Sequence, residues 1–144
     1  LKVTDVDRAV DFYRDVLGLE TTERVGRFAF LSVGEHHHDL ALQGIGGEGG
    51  AELPADAGRV GLYHAAWEVA DADALRAAAE RLQERGVTFS PVDHGISKAI
   101  YFDDPDGNGV ELYLDTREER DVEAWKGRNE RFDPFALPGT TDPA

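Results

Sequence analysis

The sequence predicts an α+β fold: tandem βαβββ modules whose sheets form a cup around a metal site, with the helices outside. Three observations carry this reading. The order strand, helix and three further strands occurs twice along the chain. The two occurrences keep one register, because Val3-Thr4-Asp5-Val6-Asp7-Arg8-Ala9-Val10 parallels Val69-Ala70-Asp71-Ala72-Asp73-Ala74-Leu75, and Val16-Leu17-Gly18-Leu19 parallels Arg85-Gly86-Val87. The second occurrence closes on Asp104-Pro105-Asp106-Gly107-Asn108-Gly109-Val110-Glu111-Leu112, where a tight turn delivers a carboxylate onto an otherwise apolar strand.

Taken in order, Leu1-Lys2-Val3 reads as the tail of a strand, and with no initiating Met the expectation is a truncated N-terminus. A helix follows, with Asp5 or Asp7 as its cap, Val10, Phe12, Tyr13, Val16 and Leu17 as its apolar stripe, and Gly18 as its stop. Strands are expected at 19–24, 27–33 and 39–43. After the glycine-rich stretch 44–50 and a loop to Gly58, the pattern restarts with a strand over 61–69. Asp71 or Asp73 then caps a helix carrying Leu75, Ala78, Ala79 and Leu82, which Gly86 ends. Strands at 87–92, 99–102 and 110–114 complete the second module. The modules span about 1–44 and 60–115 of one domain over 1–115. Residues 116–144 form a C-terminal tail that packs on the domain, over an outer helix, or over the site.

The turn residues have a physical logic. Proline presets one dihedral, and Asp, Gly and Asn accept or supply positive φ, so 104–109 joins two strands as a hairpin. Period-two alternation puts Val110, Leu112 and Leu114 on one face and Glu111 and Tyr113 on the other. An unpaired buried carboxylate is expensive. A metal ion is one partner that removes the cost; an arginine at the rim is another.

Composition narrows the function classes. The chain of 144 residues, 41% hydrophobic, is long enough for one compact core. It has no cysteine, which removes disulfides, thiolate metal sites and cysteine nucleophiles, so any metal must be held by His, Asp or Glu. Apolar runs are too short to span a bilayer and no signal peptide is seen, so a soluble cytoplasmic protein is expected. Twenty-nine acidic against fifteen basic residues give a formal charge of −14, which repels phosphate backbones and anionic membranes. Neither nucleic acid nor membrane is an expected partner. The acidic surface, with Lys2, Lys98 and Lys126 the only lysines, suits a high-salt environment where screening removes the self-repulsion.

Three segments together resemble the vicinal oxygen chelate superfamily, which includes glyoxalase I, bleomycin-binding proteins, fosfomycin-modifying enzymes and type I extradiol dioxygenases. They are 5–19 (Asp5 through Leu19), 61–69 (Gly61-Leu62-Tyr63-His64-Ala65-Ala66-Trp67-Glu68-Val69) and 104–112. The resemblance covers roughly Leu1 to Asp115 and is nearest to the type I extradiol (catechol 2,3-) dioxygenases. It implies metal ligands at His64, on the first strand of the second module, and at Glu111, on its last strand. It also calls for a first-strand His upstream of Leu1. A two-His, one-carboxylate face with open positions suits Fe(II), with Mn(II), Zn(II) and Ni(II) as alternatives. Read without the resemblance, an isolated strand histidine such as His64 is more often a core residue satisfied by backbone than a ligand. Glyoxalase-type enzymes use a fourth ligand on the last strand of the first module, and Leu40 or Ala41 stands there according to register; neither binds metal.

Three more residues take roles from the resemblance. His38, at the end of His36-His37-His38 and before Leu40-Ala41-Leu42, matches the extradiol histidine that acts as acid and base. A near-neutral imidazole pKa suits that task, although a triple histidine is also an ordinary solvated turn. Tyr101, ten positions before Glu111, matches the tyrosine that hydrogen-bonds a bound catecholate, or is simply a half-buried strand tyrosine. His94 approximates a further active-site histidine, or is an exposed turn histidine. The implied activity is Fe(II)-dependent extradiol cleavage of a catechol-like diol by O2, giving a hydroxymuconic semialdehyde type product, in a homo-oligomer. A glyoxalase-like isomerase or lyase with Zn, Ni or Mn and a metal-free binding protein of the bleomycin-resistance kind are the other classes. A fosfomycin-type transferase would need a basic cluster for its phosphonate, which the sequence does not offer.

Overall fold

The computed structural model describes residues 1–45, 62 and 64–139. The glycine-rich stretch after Gly44, the loop to Gly58 and the start of the strand expected from Gly61 lie outside the described residues. By its contacts the chain divides into two compact units, 1–62 with 104–108 and 63–103 with 109–144.

The first unit contains β1 (Lys2–Val3), α1 (Val6–Leu17), β2 (Glu20–Val25), β3 (Phe28–Ser32) and β4 (Leu40–Gly44). Its sheet has the order β1-β4-β3-β2, with β1 parallel to β4 and the other pairs antiparallel. The Asp5 carboxylate accepts the Arg8 amide at 3.1 Å and caps α1, and Gly18 ends it at φ 73°, its amide returned to the Arg14 carbonyl. The buried stripe Val6, Ala9, Phe12, Tyr13 and Val16 meets Leu19, Ala29, Leu31 and Leu42 in the core. Gly44 is required by packing, since a Cβ there would lie 2.6 Å from Val6 Cγ2. At the sheet edge β2 is exposed along its whole length. Its charges and its bulge at Thr21/Glu23 blunt the edge against further pairing.

The turn 104–108 belongs to this unit. Asp104 is buried and accepts the Asp106 and Asn108 amides at 2.9 Å on Oδ1. Its Oδ2 accepts the Tyr13 hydroxyl and the Asn108 side-chain amide at 2.8 Å. Asp106 Oδ1 accepts the Thr4 amide and hydroxyl at 3.1 and 2.6 Å. Burial and the adjacent Asp104 charge push the Tyr13 pKa far up, so its phenol stays a donor.

The second unit repeats the order: β5 (Ala65–Glu68), α2 (Ala72–Glu84), β6 (Ser90–Asp93), β7 (Ser97–Asp103) and β8 (Gly109–Asp115). Its tail adds α3 (Arg117–Arg120), β9 (Glu130–Arg131) and a 3-10 turn at Pro134–Ala136. The sheet order is β5-β8-β7-β6-β9, so β9 extends the sheet beyond β6. Asp71 caps α2 through the Ala74 amide at 2.8 Å, and Leu75, Ala78, Ala79 and Leu82 form its buried face. The strand expected from Val87 begins only at Ser90. Gly86 turns the chain at φ 68°, and Val87 to Phe89 run as an approach to the sheet rather than a part of it. The 3-10 turn packs on α2, where Arg76 donates to the Leu137 carbonyl at 2.7 Å.

The pairings fix how the halves correspond. Val3 lies opposite Gly44, and the Val69 amide, one step past Glu68↔Tyr113, bonds the Tyr113 carbonyl. Matching Val3 with Val69 therefore matches Ala41 with Glu111 and, through Phe30↔Ala41 and Tyr101↔Glu111, Phe30 with Tyr101. The choice between Leu40 and Ala41 resolves to Ala41.

Candidate metal and diol site

Four of the five residues singled out in the sequence meet in the second unit. Glu111 sits mid-strand on β8, directly opposite Tyr101 on β7 and opposite Ala66 on β5. His64 precedes β5 and stands two residues before Ala66, so strand periodicity gives it the same face. Glu111 Oε2 is 3.0 Å from His64 Nε2, and Glu111 Oε1 accepts the Tyr101 hydroxyl at 2.9 Å. The Glu111 side chain is 11% exposed and that of His64 25%, so the pair is largely shielded without being sealed. The His64 and Tyr101 rings meet edge to face at 5.6 Å.

The donor chemistry suits a metal. Two ligand atoms each about 2.1 Å from one ion and at right angles lie about 3 Å apart, and the His64–Glu111 pair is held at 3.0 Å. Imidazole and carboxylate are the donor types that borderline divalent metals take. Among the described residues no third His, Cys, Asp or Glu completes a cluster with them. His64 and Glu111 are therefore a pair of candidate donors.

His94 follows β6, in the turn to β7. Its Nε2 lies 2.8 Å from the Tyr101 hydroxyl, and its ring meets Tyr101 at 5.9 Å and Trp125 edge to face at 6.0 Å. The turn is built on Asp93, whose Oδ1 accepts the Gly95 amide at 2.8 Å. Arg120 grips both Asp93 carboxylate oxygens at 2.7 and 2.9 Å. The Arg120 guanidinium, with the Gly95 amide, holds the Asp93 carboxyl down at about 2, against the opposing effect of burial.

The tail completes the site wall. Trp125 donates its indole N–H to the Arg128 carbonyl at 2.8 Å, and Asn129 Oδ1 lies 2.8 Å from His94 Nδ1. With His64, Glu111, Tyr101 and His94 these two residues line an open cavity of about 650 Å³, to which Val92 and Ile96 add apolar lining. That volume accommodates a small aromatic ligand. The 3-10 turn of the tail lies on α2, while Trp125 and Asn129 border the cavity. Asn129 and Arg120 carry no local signal in the sequence, because their partners lie 35 and 27 residues away.

His38 belongs to the first unit. There its ring packs on Phe30 at 5.1 Å and its Nδ1 lies 3.0 Å from that of His37, whose Nε2 meets Glu23 at 2.8 Å.

Among the described residues no helix is long and apolar enough to cross a membrane. Residues 1–112 match the Glyoxalase/Bleomycin resistance protein/Dioxygenase superfamily. The chain is 34% identical over 115 residues to the catechol-2,3-dioxygenase of Bacillus subtilis (strain 168), a match covering 80% of this chain and 39% of that protein. It is 35% identical over 117 residues to biphenyl-2,3-diol 1,2-dioxygenase 3 of Rhodococcus globerulus, covering 80% of this chain and 60% of the relative. In both cases the chain spans less than two thirds of the relative's length. The fold matches the fosfomycin resistance protein FosX of Listeria monocytogenes, solved with Mn(II) and sulfate, at a TM-score of 0.62 and 21% identity, covering 83% of this chain and 89% of that one. The tandem βαβββ order, the parallel β1/β4 and β5/β8 pairings and the match over residues 1–112 make this chain a member of the glyoxalase/bleomycin resistance/dioxygenase superfamily.

Proposed function

We propose that the protein is an Fe(II)-dependent extradiol dioxygenase acting on a catechol-like aromatic diol. The observation that carries the reading is the His64–Glu111 pair at ligand spacing with the Tyr101 hydroxyl on the second carboxylate oxygen. Similarity to relatives named for catechol and biphenyl-2,3-diol substrates supports it.

His64 and Glu111 would hold the metal, together with a further protein ligand. When bound there, Fe(II) supplies two-point attachment for vicinal hydroxyls, acidifies them and activates O2. The remaining steps fall to the chain. Glu111 contributes the negative charge that favours a divalent ion, and Tyr101 keeps its second oxygen oriented. The Tyr101 hydroxyl lines the cavity, where it would hydrogen-bond a bound diol, with His94 behind it. Trp125, Val92 and Ile96 offer apolar surface to an aromatic ring and keep water off it. His38 is the proposed acid/base group. Mn(II) is the alternative metal under this reading, since the donor set does not discriminate between the two ions.

The test is anaerobic Fe(II) loading of the full-length protein, followed by oxygen uptake and visible absorbance with catechol, 3-methylcatechol and 2,3-dihydroxybiphenyl. The reading expects stoichiometric O2 consumption and a yellow ring-fission product, abolished in His64→Ala and slowed in His38→Ala. A metal-loaded protein that turns over none of these diols would sink it.

A further inference from the structure

The tail does more than wall the cavity: we infer that Asn129 is a positioning residue that fixes the tautomer of His94. His94 Nδ1 faces two oxygens, Asn129 Oδ1 at 2.8 Å and the Arg128 carbonyl at 3.3 Å. A backbone carbonyl can only accept, so the proton of a neutral His94 sits on Nδ1. The carbonyl also decides which end of the Asn129 amide faces the ring, since an amide N–H there would compete with it. The Arg128 carbonyl is itself anchored by the Trp125 indole N–H, and β9 pins the segment to the sheet through Val92↔Arg131 and Asp93↔Glu130.

The consequence lies across the ring. With Nδ1 protonated, His94 Nε2 presents a lone pair to the Tyr101 hydroxyl 2.8 Å away. Tyr101 then stands between two acceptors, His94 Nε2 and Glu111 Oε1, with one proton for both. Free histidine in water prefers the opposite tautomer, with the proton on Nε2. In that form His94 would donate to Tyr101 and lose its capacity to take a proton from that side. A segment outside the repeated modules thus sets the hydrogen-bonding polarity of the row His94–Tyr101–Glu111. Its use in accepting a proton from a bound diol rests on the proposed function; the tautomer itself does not.

The experiment needs neither metal nor substrate, so it fails separately from the dioxygenase reading. Nitrogen-15 NMR of the uniformly labelled, metal-free full chain, at a pH where the imidazoles are neutral, reports which ring nitrogen bears the proton. His94 is identified by the resonances lost in His94→Gln. The expectation is a pyrrole-type shift at Nδ1 and a pyridine-type shift at Nε2 in the wild type. Asn129→Ala loses the shorter, 2.8 Å bond and leaves only the carbonyl at 3.3 Å, so both should move part of the way toward the opposite tautomer, and Asn129→Asp, which keeps an acceptor, should restore them. Unchanged amide resonances of Val92 and Asp93 show that β9 stays docked in each variant. A wild-type proton on Nε2, or an Asn129→Ala spectrum indistinguishable from the wild type, overturns the inference.

Discussion

Substituting Asp93 by Asn tests the foundation of the site, because Asp93 shapes the turn that carries His94. Its side chain is 8% exposed, and its charge is met by Arg120 on both oxygens and by the Gly95 amide. The carboxyl is held at about 2 in the folded protein against an ordinary value of 3.8. A folded pKa below the unfolded one means stability that is complete above the unfolded pKa and is lost as pH falls through the folded one. The gap is worth about 2 kcal/mol at neutral pH, about 1 kcal/mol at pH 3 and under about 0.5 kcal/mol at pH 2. Asp93→Asn removes this linkage and adds a pH-independent cost for leaving Arg120 without its partner. Urea unfolding of both proteins at intervals from pH 6 to pH 2.5 should show the wild-type advantage shrinking by more than about 1 kcal/mol, chiefly below pH 4. A difference that stays flat across that range would refute the linkage between Asp93 and Arg120.

Tyr13→Phe removes the donor to Asp104 but leaves that carboxylate its other three, so a loss of about 1–2 kcal/mol is expected from chemical denaturation. Gly44→Ala forces a methyl against Val6 and should cost about 1–3 kcal/mol. Adding Val6→Ala makes room for it, so the double variant should be more stable than the sum of the two single losses, as a double-mutant cycle would read. Tyr101→Phe keeps the ring against His64 but frees one oxygen of Glu111; metal affinity by equilibrium dialysis, or turnover of the loaded protein, should fall about 10–100-fold.

Much of this was legible in the sequence because the informative residues act locally. Asp5 and Asp71 cap the helices that follow within three residues, Gly18 ends the first, and 104–109 is a turn by composition alone. The Tyr101–Glu111 pair is also local, one hairpin apart, but Tyr101 was singled out through the family pattern, for a bound diol rather than for Glu111. His64 required more: it reaches Glu111 through a parallel pairing across 47 residues, and only the family pattern connected the two. The late start of β6 could not be read, since Val87-Thr88-Phe89 has strand composition and only the Gly86 turn shows that it lies off the sheet. The placement of Asn129 and Arg120 was equally hidden, because a charged, irregular tail has no periodicity from which to infer a partner.

The correspondence between the halves shows where the two copies diverge. The matched cross-strand pairs are Phe30–Ala41 and Tyr101–Glu111, so the same scaffold carries two carbon side chains in one unit and a phenol beside a carboxylate in the other. The first pair satisfies a sheet at no electrostatic cost. The second sets a largely shielded carboxylate against an imidazole and a hydroxyl, an arrangement that is costly to desolvate and that hydrophobic replacements would match or exceed in stability. Around Phe30 the neighbouring histidines, His37 and His38, are turned toward each other, and His37 also meets Glu23. Around Tyr101 the neighbouring histidines, His64 and His94, bracket the phenol and the carboxylate, with the tail drawn in behind them. A sequence that departs from the apolar solution at these matched positions, and then supplies a fixed turn and an extra strand to support the departure, gives up stability at the residues proposed to hold a ligand.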